Sequence, residues 1–302
     1  MENMITKIGG LLLIIVLGYI LKQCGVFRSE DARILSKIIV NLTLPGALIA
    51  SLASFSIEMN MLSVIAVAAI ANCVLLLVAA LISRGRDGAT RALYMLNIPS
   101  YNIGTFVLPF VQSFLPAEGL LAVSMFDAGN NPMNSGGAYA VTSALIGGER
   151  MCVKTIASKM LHSVPFDTFL LMMIMGGSGL HFPPAVYTIA GMFGQANAFL
   201  AMLMIGLMFE IQLSRNALGD VVRIVGVRYA FGAVAAALCY CLLPLPESVR
   251  RVVTLSLLAP IPSVTLAYCD KCGCKPSIVG VIHSMCIAIS LVSTLILMLV
   301  WK

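Results

Sequence analysis

The sequence predicts an all-α membrane protein with ten transmembrane helices, arranged as two inverted five-helix repeats. The first observation is composition: of 302 residues, 60% are hydrophobic and 11% are charged, against about 45–50% and about 25% in soluble domains. The second is a succession of apolar runs of bilayer length. The third is the placement of Lys and Arg in the short loops between those runs.

Ten apolar runs approach the roughly 20 residues that a helix needs to cross the hydrocarbon. They lie near residues 5–22, 33–56, 61–83, 92–115, 119–146, 155–177, 184–210, 221–243, 249–268 and 276–300. These spans occupy the chain, so no soluble domain is expected beside them. The first run has no small-residue cleavage site after it, which favours a retained span over a secretory signal.

The basic residues predict the orientation of the spans, because Lys and Arg accumulate in short cytoplasmic loops. One side receives Lys22, Arg28, Arg33, Lys37, Arg84, Arg86, Arg91, Arg150, Lys154, Lys159, Arg215, Arg223, Arg228, Lys271 and Lys275. The other side receives only Lys7, Arg250, Arg251 and Lys302. We therefore expect a multi-pass plasma-membrane protein with both termini outside the cytoplasm and no basic side chain deep in a span. The net charge of +6 is scattered along the chain, so no nucleic-acid partner is expected.

An internal repeat divides the chain in two. Five spans precede the loop near residue 150 and five follow it, so the second half enters the membrane in the opposite sense, as in many secondary transporters. The tripeptide Ile-Pro-Ser occurs at residues 98–100 in the fourth span and again at residues 261–263 in the ninth. We therefore predict a first repeat over residues 1–146, a cytoplasmic linker over 147–154 and a second repeat over 155–302.

Prolines interrupt two of the predicted spans: Pro99 and Pro109 in the fourth, Pro260 and Pro262 in the ninth. Unsatisfied backbone is costly in hydrocarbon, so a broken helix persists only where protein buries it or where it lines a cavity. The helix that starts after a break offers N–H groups and the positive end of its dipole to an anion. The matching positions of the breaks favour this interpretation over simple packing kinks. The predicted substrate-binding residues are Ser100, Asn102, Gly104, Ser263 and Thr265.

The fifth span carries a polar stripe in "SMFDAGNNPMNSGG". Asp127, Asn130, Asn131 and Asn134 are three or four residues apart and share a helix face with Ser124. Acidic residues inside a membrane are by default proton relays or cation ligands. We therefore predict that Asp127, Asn130 and Asn131 bind a co-transported proton or sodium ion. The alternative is a hydrogen-bonded structural aspartate nearer the outer interface.

The nine cysteines form no repeating framework, so most are expected to be packing thiols. Cys269, Cys272 and Cys274 resemble a metal-binding spacing but lack a second ligand pair, and no metal is expected there. Their role stays open. In the second span, the polar interruption formed by Asn41 and Thr43 is at least as consistent with a packing kink as with a ligand contact.

The histidines argue against an enzyme. His162, His181 and His283 are too scattered for a catalytic constellation such as H-E-x-x-H, and no G-x-x-x-x-G-K-[ST] loop for an ATP-driven pump is present. No cofactor is expected beyond a co-transported ion. His283 lies about two turns into the tenth span, where a lone histidine is more often hydrogen-bonded to its neighbours than a proton shuttle.

Taken in order, these residues resemble the auxin efflux carrier family, which includes bacterial malonate transporters. The resemblance covers nearly the whole chain. It rests on "VNLTLPGALI" in the second span, Asn102-x-Gly104 followed by Leu108-Pro109 in the fourth, the Asp/Asn-rich fifth span, "MLMIGLMFE" in the seventh and the prolines of the ninth. Two departures are Val107, where a glycine is common before Leu-Pro, and "SVPFDTF" in the sixth span, where many relatives have Asn-Pro.

The resemblance implies a fold similar to that of the bile acid:sodium symporters, with broken helices four and nine crossing around the substrate. Spans 1, 2, 6 and 7 would form a scaffold, and spans 3–5 and 8–10 a moving transport domain of the elevator type. The cargo would be a small organic anion such as malonate. Alternatives are a sodium-coupled symporter of larger organic anions and an anion sensor that does not transport. The sequence is consistent with import or export, with coupling to protons or sodium ions or with uniport, and with a monomer or a homodimer.

Overall fold

The protein was analysed as a computed structural model that describes residues 2–52, 61–147, 152–209 and 218–301. Within these ranges the chain is helical and contains no strand. Residues 53–56 of the predicted second span, Glu210 of the seventh and residues 148–151 of the predicted linker lie outside the described residues, as do Arg215 and Lys302.

Helices follow one another along both halves of the chain. The first half contains α1 (Glu2–Gln23), α2 (Ala32–Ile38), α3 (Leu44–Ser51), α4 (Leu62–Ile82), α5 (Gly88–Asn97), α6 (Leu108–Phe114), α7 (Ala117–Pro132) and α8 (Ala138–Ile146). The second half contains α9 (Val153–Met160), α10 (Val164–Ser178), α11 (Pro184–Met208), α12 (Leu218–Leu242), α13 (Glu247–Leu257), α14 (Val264–Lys271) and α15 (Pro276–Val300).

The helix lengths bear on the predicted number of spans. Among the described residues, six helical stretches are long and apolar enough to cross a membrane, and a seventh counts if α9 and α10, which bend by 69°, form one span. The all-helical membrane class is therefore confirmed. The ten-span inverted repeat stays a prediction, because the helices within the fourth, fifth and ninth predicted spans are each shorter than the roughly 20 residues needed.

Prolines reshape three of the predicted spans in different ways. Helical turns of the wide π type occupy Ile39–Thr43, Ile103–Val107 and Met133–Gly137. Two of them run directly into helices with proline in the first turn, Pro45 in α3 and Pro109 in α6. A proline has no N–H to donate and its ring crowds the preceding turn, and a wider turn relieves both problems. Pro109 therefore widens the fourth span without breaking it.

Close backbone contacts hold α1 and α3 against α11. A Cβ atom on Gly206 would overlap the carbonyl oxygen of Ile15 in α1, and one on Gly194 would lie 2.8 Å from the Cα atom of Ala47 in α3. Small residues let helix backbones approach closely where there is no hydrophobic driving force between helices in lipid. These helices, with α2 and α10, form the first packed group.

The remaining helices form a second group around α4, α7, α12 and α13. Gly129 of α7 lies against the carbonyl oxygen of Ile65 in α4, and a Cβ atom on Gly232 of α12 would lie 2.6 Å from the carbonyl oxygen of Leu257 in α13. The two interrupted regions that form the candidate site lie largely within this second group.

A polar chain joins the first group to α6. The hydroxyl of Thr43 donates to Asn197 Oδ1 (2.9 Å), Asn197 Nδ2 donates to Gln112 Oε1 (3.2 Å), and Gln112 Nε2 donates to the carbonyl oxygen of Gly194 (2.9 Å). Thr43 and Asn197 are both buried. Thr43 therefore makes a packing contact between helices.

We predict that Gly206→Ala destabilises the fold by about 1–3 kcal/mol, the usual cost of forcing extra volume into a packed contact. The matched control is Gly226→Ala in α12, where an added Cβ atom meets nothing within 4 Å and better helix propensity favours the variant. Thermal unfolding in detergent micelles measures both. Equal unfolding temperatures for Gly206→Ala and the wild type would contradict the close α1–α11 contact.

Candidate functional site

Two interrupted helical regions meet inside the protein. Helix α5 ends at Asn97 and helical structure resumes at Ile103, while α13 ends at Leu257 and α14 begins at Val264. The backbone N–H of Asn102 in the first interruption donates to the carbonyl oxygen of Pro260 in the second (2.8 Å). Both Ile-Pro-Ser tripeptides thus lie in non-helical segments, and those segments are in direct contact.

One arginine binds the carbonyl groups of both interruptions. Arg228 of α12 is 2% exposed. Its Nη1 donates to the carbonyl oxygens of Ile98 (2.6 Å) and Pro99 (3.3 Å), and its Nη2 to those of Ser100 (2.7 Å) and Ala259 (2.8 Å). A cation is favourable here because the C-terminal end of a helix presents unpaired carbonyls and a negative dipole end.

Arg228 corrects two of the expectations from the sequence. It was assigned to a cytoplasmic loop, and no basic side chain was expected deep in a span. The structure instead buries it eleven residues inside α12, with its guanidinium 5.0 Å from the centre of the Tyr101 ring. Its position within an apolar helix, five residues after the exposed Arg223, is the signal that could have identified it.

Asparagine side chains bind the N–H groups of the first interruption. Asn72 Oδ1 accepts from the N–H of Ser100 (2.8 Å), and Asn130 Oδ1 accepts from the N–H of Tyr101 (3.0 Å). Ser100 has a φ of 70°, in the left-handed region that favours glycine. Asn72 is not among the residues predicted from the sequence, although it is the one amide side chain within the apolar helix α4.

The polar stripe of the fifth span connects this interruption to Asp127. Asn130 Nδ2 donates to the carbonyl oxygen of Tyr101 (2.8 Å) and to Asp127 Oδ1 (3.2 Å). Asn134 Nδ2 donates to the same Tyr101 carbonyl oxygen (3.3 Å). Asn131 faces elsewhere and accepts from the hydroxyl of Ser135 (2.9 Å). The amide of Asn130, predicted as an ion ligand, is thus occupied by backbone groups and Asp127.

The second interruption has partners on α12 and α15. The Ser290 hydroxyl of α15 donates to the carbonyl oxygen of Leu258 (2.7 Å), next to the Ala259 carbonyl that binds Arg228. The Tyr229 hydroxyl lies 2.7 Å from Ser290 Oγ and donates to the carbonyl oxygen of Cys286 (2.7 Å). The carbonyl end of each interruption is therefore satisfied by side chains of α12 or its neighbours.

A large cavity of about 840 Å³ reaches the beginning of α14. Its exposed rim carries two basic and two acidic residues, Arg33 and Lys37 of α2 with Glu30 and Asp270. The buried side of the cavity is formed by α15. Ser263 and Val264 line the cavity where α14 starts. The rim residues belong to the side predicted as cytoplasmic.

A small cavity of about 20 Å³ lies beside Asp127. Gly104 and Ile103 of the fourth span and Ser124 of α7 line it, together with Phe169 of α10. Such a volume holds about one water molecule. Asp127 is therefore near the fourth-span interruption but faces a space separate from the large cavity.

The predicted binding residues are divided among these environments. Ser100 and Asn102 form the contact between the interruptions, and Asn102 Oδ1 accepts from the Thr105 hydroxyl (2.6 Å). Gly104 lines the small cavity and Ser263 the large one, while Thr265 is buried one residue inside α14. All four predicted break prolines, Pro99, Pro109, Pro260 and Pro262, are buried.

The cysteine cluster lies in and after α14, at the rim of the large cavity. Asn97 Nδ2 donates to Cys269 Sγ (3.3 Å), and Cys274 Sγ donates to the carbonyl oxygen of Ala89 (3.5 Å). Burial raises the pKa of the Cys272 thiol to about 11, so this thiol is protonated at neutral pH. Within the part of the chain that the structure describes, no three His, Cys, Asp or Glu side chains are grouped to hold a metal ion.

Comparison with known proteins points to transport. A sequence family described as "Membrane transport protein" matches residues 3–163. A protein of Methanothermobacter thermautotrophicus strain Delta H, named "Uncharacterized transporter", is 26% identical over 231 residues, which cover 75% of this chain and 74% of that protein. Both comparisons describe transporters and neither describes an enzyme.

We predict that Arg228→Met destabilises the fold, by about 1–3 kcal/mol for each backbone carbonyl that is left buried without a donor. The matched control is Arg223→Met, because Arg223 is exposed on the same helix and its removal changes the charge equally. Thermal unfolding of both variants in detergent, followed by circular dichroism, provides the comparison. If the two variants unfold at the same temperature, Arg228 does not hold the interruptions together.

Proposed function

The chain belongs to the membrane transport protein family, that of the auxin efflux carriers, and we propose that it is a secondary carrier of a small organic anion such as malonate or a related carboxylate. It would move this anion across the plasma membrane by an elevator-type motion. The observation that carries the proposal is the large cavity, which runs from a partly basic rim to the start of α14 at the second interruption.

The electrostatics of the interruptions favour an anion over a cation. Arg228 occupies the carbonyl ends of both segments, so the negative dipole ends are already neutralised by protein. The positive N-terminal end of α14 remains beside the cavity, with Ser263 as its N-cap residue. A half-helix N-terminus at mid-membrane is a recurring site for a carboxylate in carriers.

The rim of the cavity supports entry of an anion. Arg33 and Lys37 lie on the same face of α2, four residues apart, and both are exposed. Basic residues at the opening of a cleft raise the local concentration of anions. In the proposed orientation the rim faces the cytoplasm, and the arrangement would be an inward-open state of the carrier.

The two packed groups of helices support an elevator mechanism. The group of α1, α2, α3, α10 and α11 corresponds to the scaffold inferred from spans 1, 2, 6 and 7. The group around α4, α7, α12 and α13 contains both interruptions and corresponds to the transport domain. The large cavity lies between α2 of the first group and α14 and α15 of the second, where sliding of the groups would expose it to alternate sides.

Asp127 is the proposed coupling site. It lines the one-water cavity with Gly104 and Ser124, and its carboxylate is linked through Asn130 to the backbone of the first interruption. Binding a proton or sodium ion there would alter the interactions of Asn130 with that backbone. The hydrogen bonds of Asn130 therefore connect the ion site to the substrate region, although the ion and the substrate share no protein ligand.

A second candidate is a carrier of larger organic anions. The cavity of about 840 Å³ falls in the range of about 300–1,000 Å³ typical of sites for drug-sized ligands, and malonate would occupy a small part of it. A sensor that binds the anion without moving it would fit the same cavity. Uptake into sealed vesicles separates carriers from a sensor, and the size of the best substrate separates the two carriers.

We predict that proteoliposomes containing the protein take up a radiolabelled carboxylate. Ser263→Ala should lower the initial uptake rate about tenfold, because the anion loses a hydrogen bond from a hydroxyl at the helix N-terminus. Ser113→Ala is the control, since the Ser113 hydroxyl donates to the carbonyl oxygen of Pro109 in its own helix and lines neither cavity. The test compares malonate, succinate and phenylacetate under imposed proton and sodium gradients. Absence of uptake under every condition would rule out the carrier.

We predict that Asp127→Asn makes uptake insensitive to the gradient that stimulates the wild type, while binding of the carboxylate is retained. The variant keeps an oxygen that can accept from Asn130 but removes the charge that holds the ion. Asp167→Asn, in the first turn of α10, is the control. Uptake by Asp127→Asn that still follows the gradient as the wild type does would exclude Asp127 as the coupling residue.

A further inference from the structure

His283 is a buried histidine whose ring lacks partners. It is 5% exposed, and neither Nδ1 nor Nε2 has a hydrogen-bond partner among the described residues. It lines the large cavity. Buried polar side chains are nearly always hydrogen-bonded, and a neutral imidazole offers one donor and one acceptor. The expectation that His283 is bonded to its neighbours is therefore wrong, and this residue with two unpartnered ring nitrogens is part of the cavity lining.

His283 and the start of α14 line the same cavity. Helix α15 begins at Pro276, a lining residue, and His283 is seven residues further, about 10 Å along the axis. Helix α14 precedes α15 and packs against it, and its lining residues run from Val264, its first residue, to Asp270 at the rim. The large cavity therefore joins His283 to the N-terminus of α14.

The inner end of the cavity differs in charge from its rim. All the acidic and basic residues that line the cavity, Glu30, Arg33, Lys37 and Asp270, are exposed residues of the rim. The rest of the lining carries no Asp, Glu, Lys or Arg side chain and includes His283, Ser263, Val264 and Ser284. No carboxylate of the lining competes there for the imidazole N–H or for the positive end of α14.

We infer that His283 is a substrate-binding residue, which donates a ring N–H to a carboxylate of the transported anion at the inner end of the large cavity. The hydroxyl of Ser263, the N-cap residue of α14, binds the same carboxylate. This inference rests on the proposed function and deepens it, because it names the residue and the chemical group recognised.

A structural role for His283 makes a different prediction. If His283 only filled space, replacing it with leucine would remove a buried polar group without partners and leave ligand binding intact. If it binds the carboxylate, leucine preserves or raises the stability of the ligand-free protein but weakens binding, and glutamine, which keeps an N–H donor, restores part of it. Weaker binding without a loss of stability is therefore expected only if His283 contacts the ligand.

The experiment compares wild type, His283→Leu, His283→Gln and His181→Leu in detergent. His181 is an exposed histidine and provides the matched control. Isothermal titration with malonate, succinate and phenylacetate gives the affinities, and thermal unfolding without ligand gives the stabilities. We expect His283→Leu to weaken carboxylate binding on the order of tenfold, His283→Gln to weaken it less, and His181→Leu to leave it unchanged.

Histidine labelling with ¹³C adds a direct measurement of contact, because the chain has only three histidines. Binding of the carboxylate should shift one of the three ring signals, namely the one that is absent from the spectrum of His283→Leu, and leave the other two unchanged. Malonamide should shift none of the three. Wild-type binding that His283→Leu does not weaken would overturn the inference and leave the proposed function standing. No binding or uptake of any carboxylate would overturn both, and a shift with inorganic phosphate but no carboxylate would overturn the carboxylate assignment.

Discussion

The organisation of the site depends on one buried guanidinium. Two helices that stop inside a membrane protein leave carbonyl groups that hydrocarbon cannot satisfy, and Arg228 donates to four of them across both interruptions. The fork of an arginine suits this task because its donors are fixed in one plane and remain charged. The contact between Asn102 and Pro260 is possible because the two segments share this partner.

The arginine also determines which helix ends remain for a ligand. Because the negative carbonyl ends are bound by protein, the polarity left toward the large cavity is the positive start of α14. The cavity wall around it is neutral, and the charged residues stay at the rim. In the proposed carrier, a charged solute would be recognised by dipoles and neutral donors, which favours weak and reversible binding.

Polar residues inside the membrane serve two different purposes here, and their sequence context does not distinguish them. Asn72 and Asn130 complete the hydrogen bonding of the first interruption, as Ser290 does for the second. Ser263 and His283 instead face the large cavity. An asparagine or serine within an apolar run indicates only that the run is interrupted or lines a space, because every polar group in hydrocarbon must find some partner.

The sequence by itself determined the all-helical membrane class and the two proline-containing segments where helical structure stops. These follow from local chemistry: hydropathy over about 20 residues and the missing N–H of proline. Only the tertiary structure decided that Arg228 is buried, that Asn130 binds backbone, and that Gly104 and Ser263 line separate cavities. Each of these depends on which helix lies opposite, and contacts between residues 29 to 130 positions apart leave no trace in local periodicity.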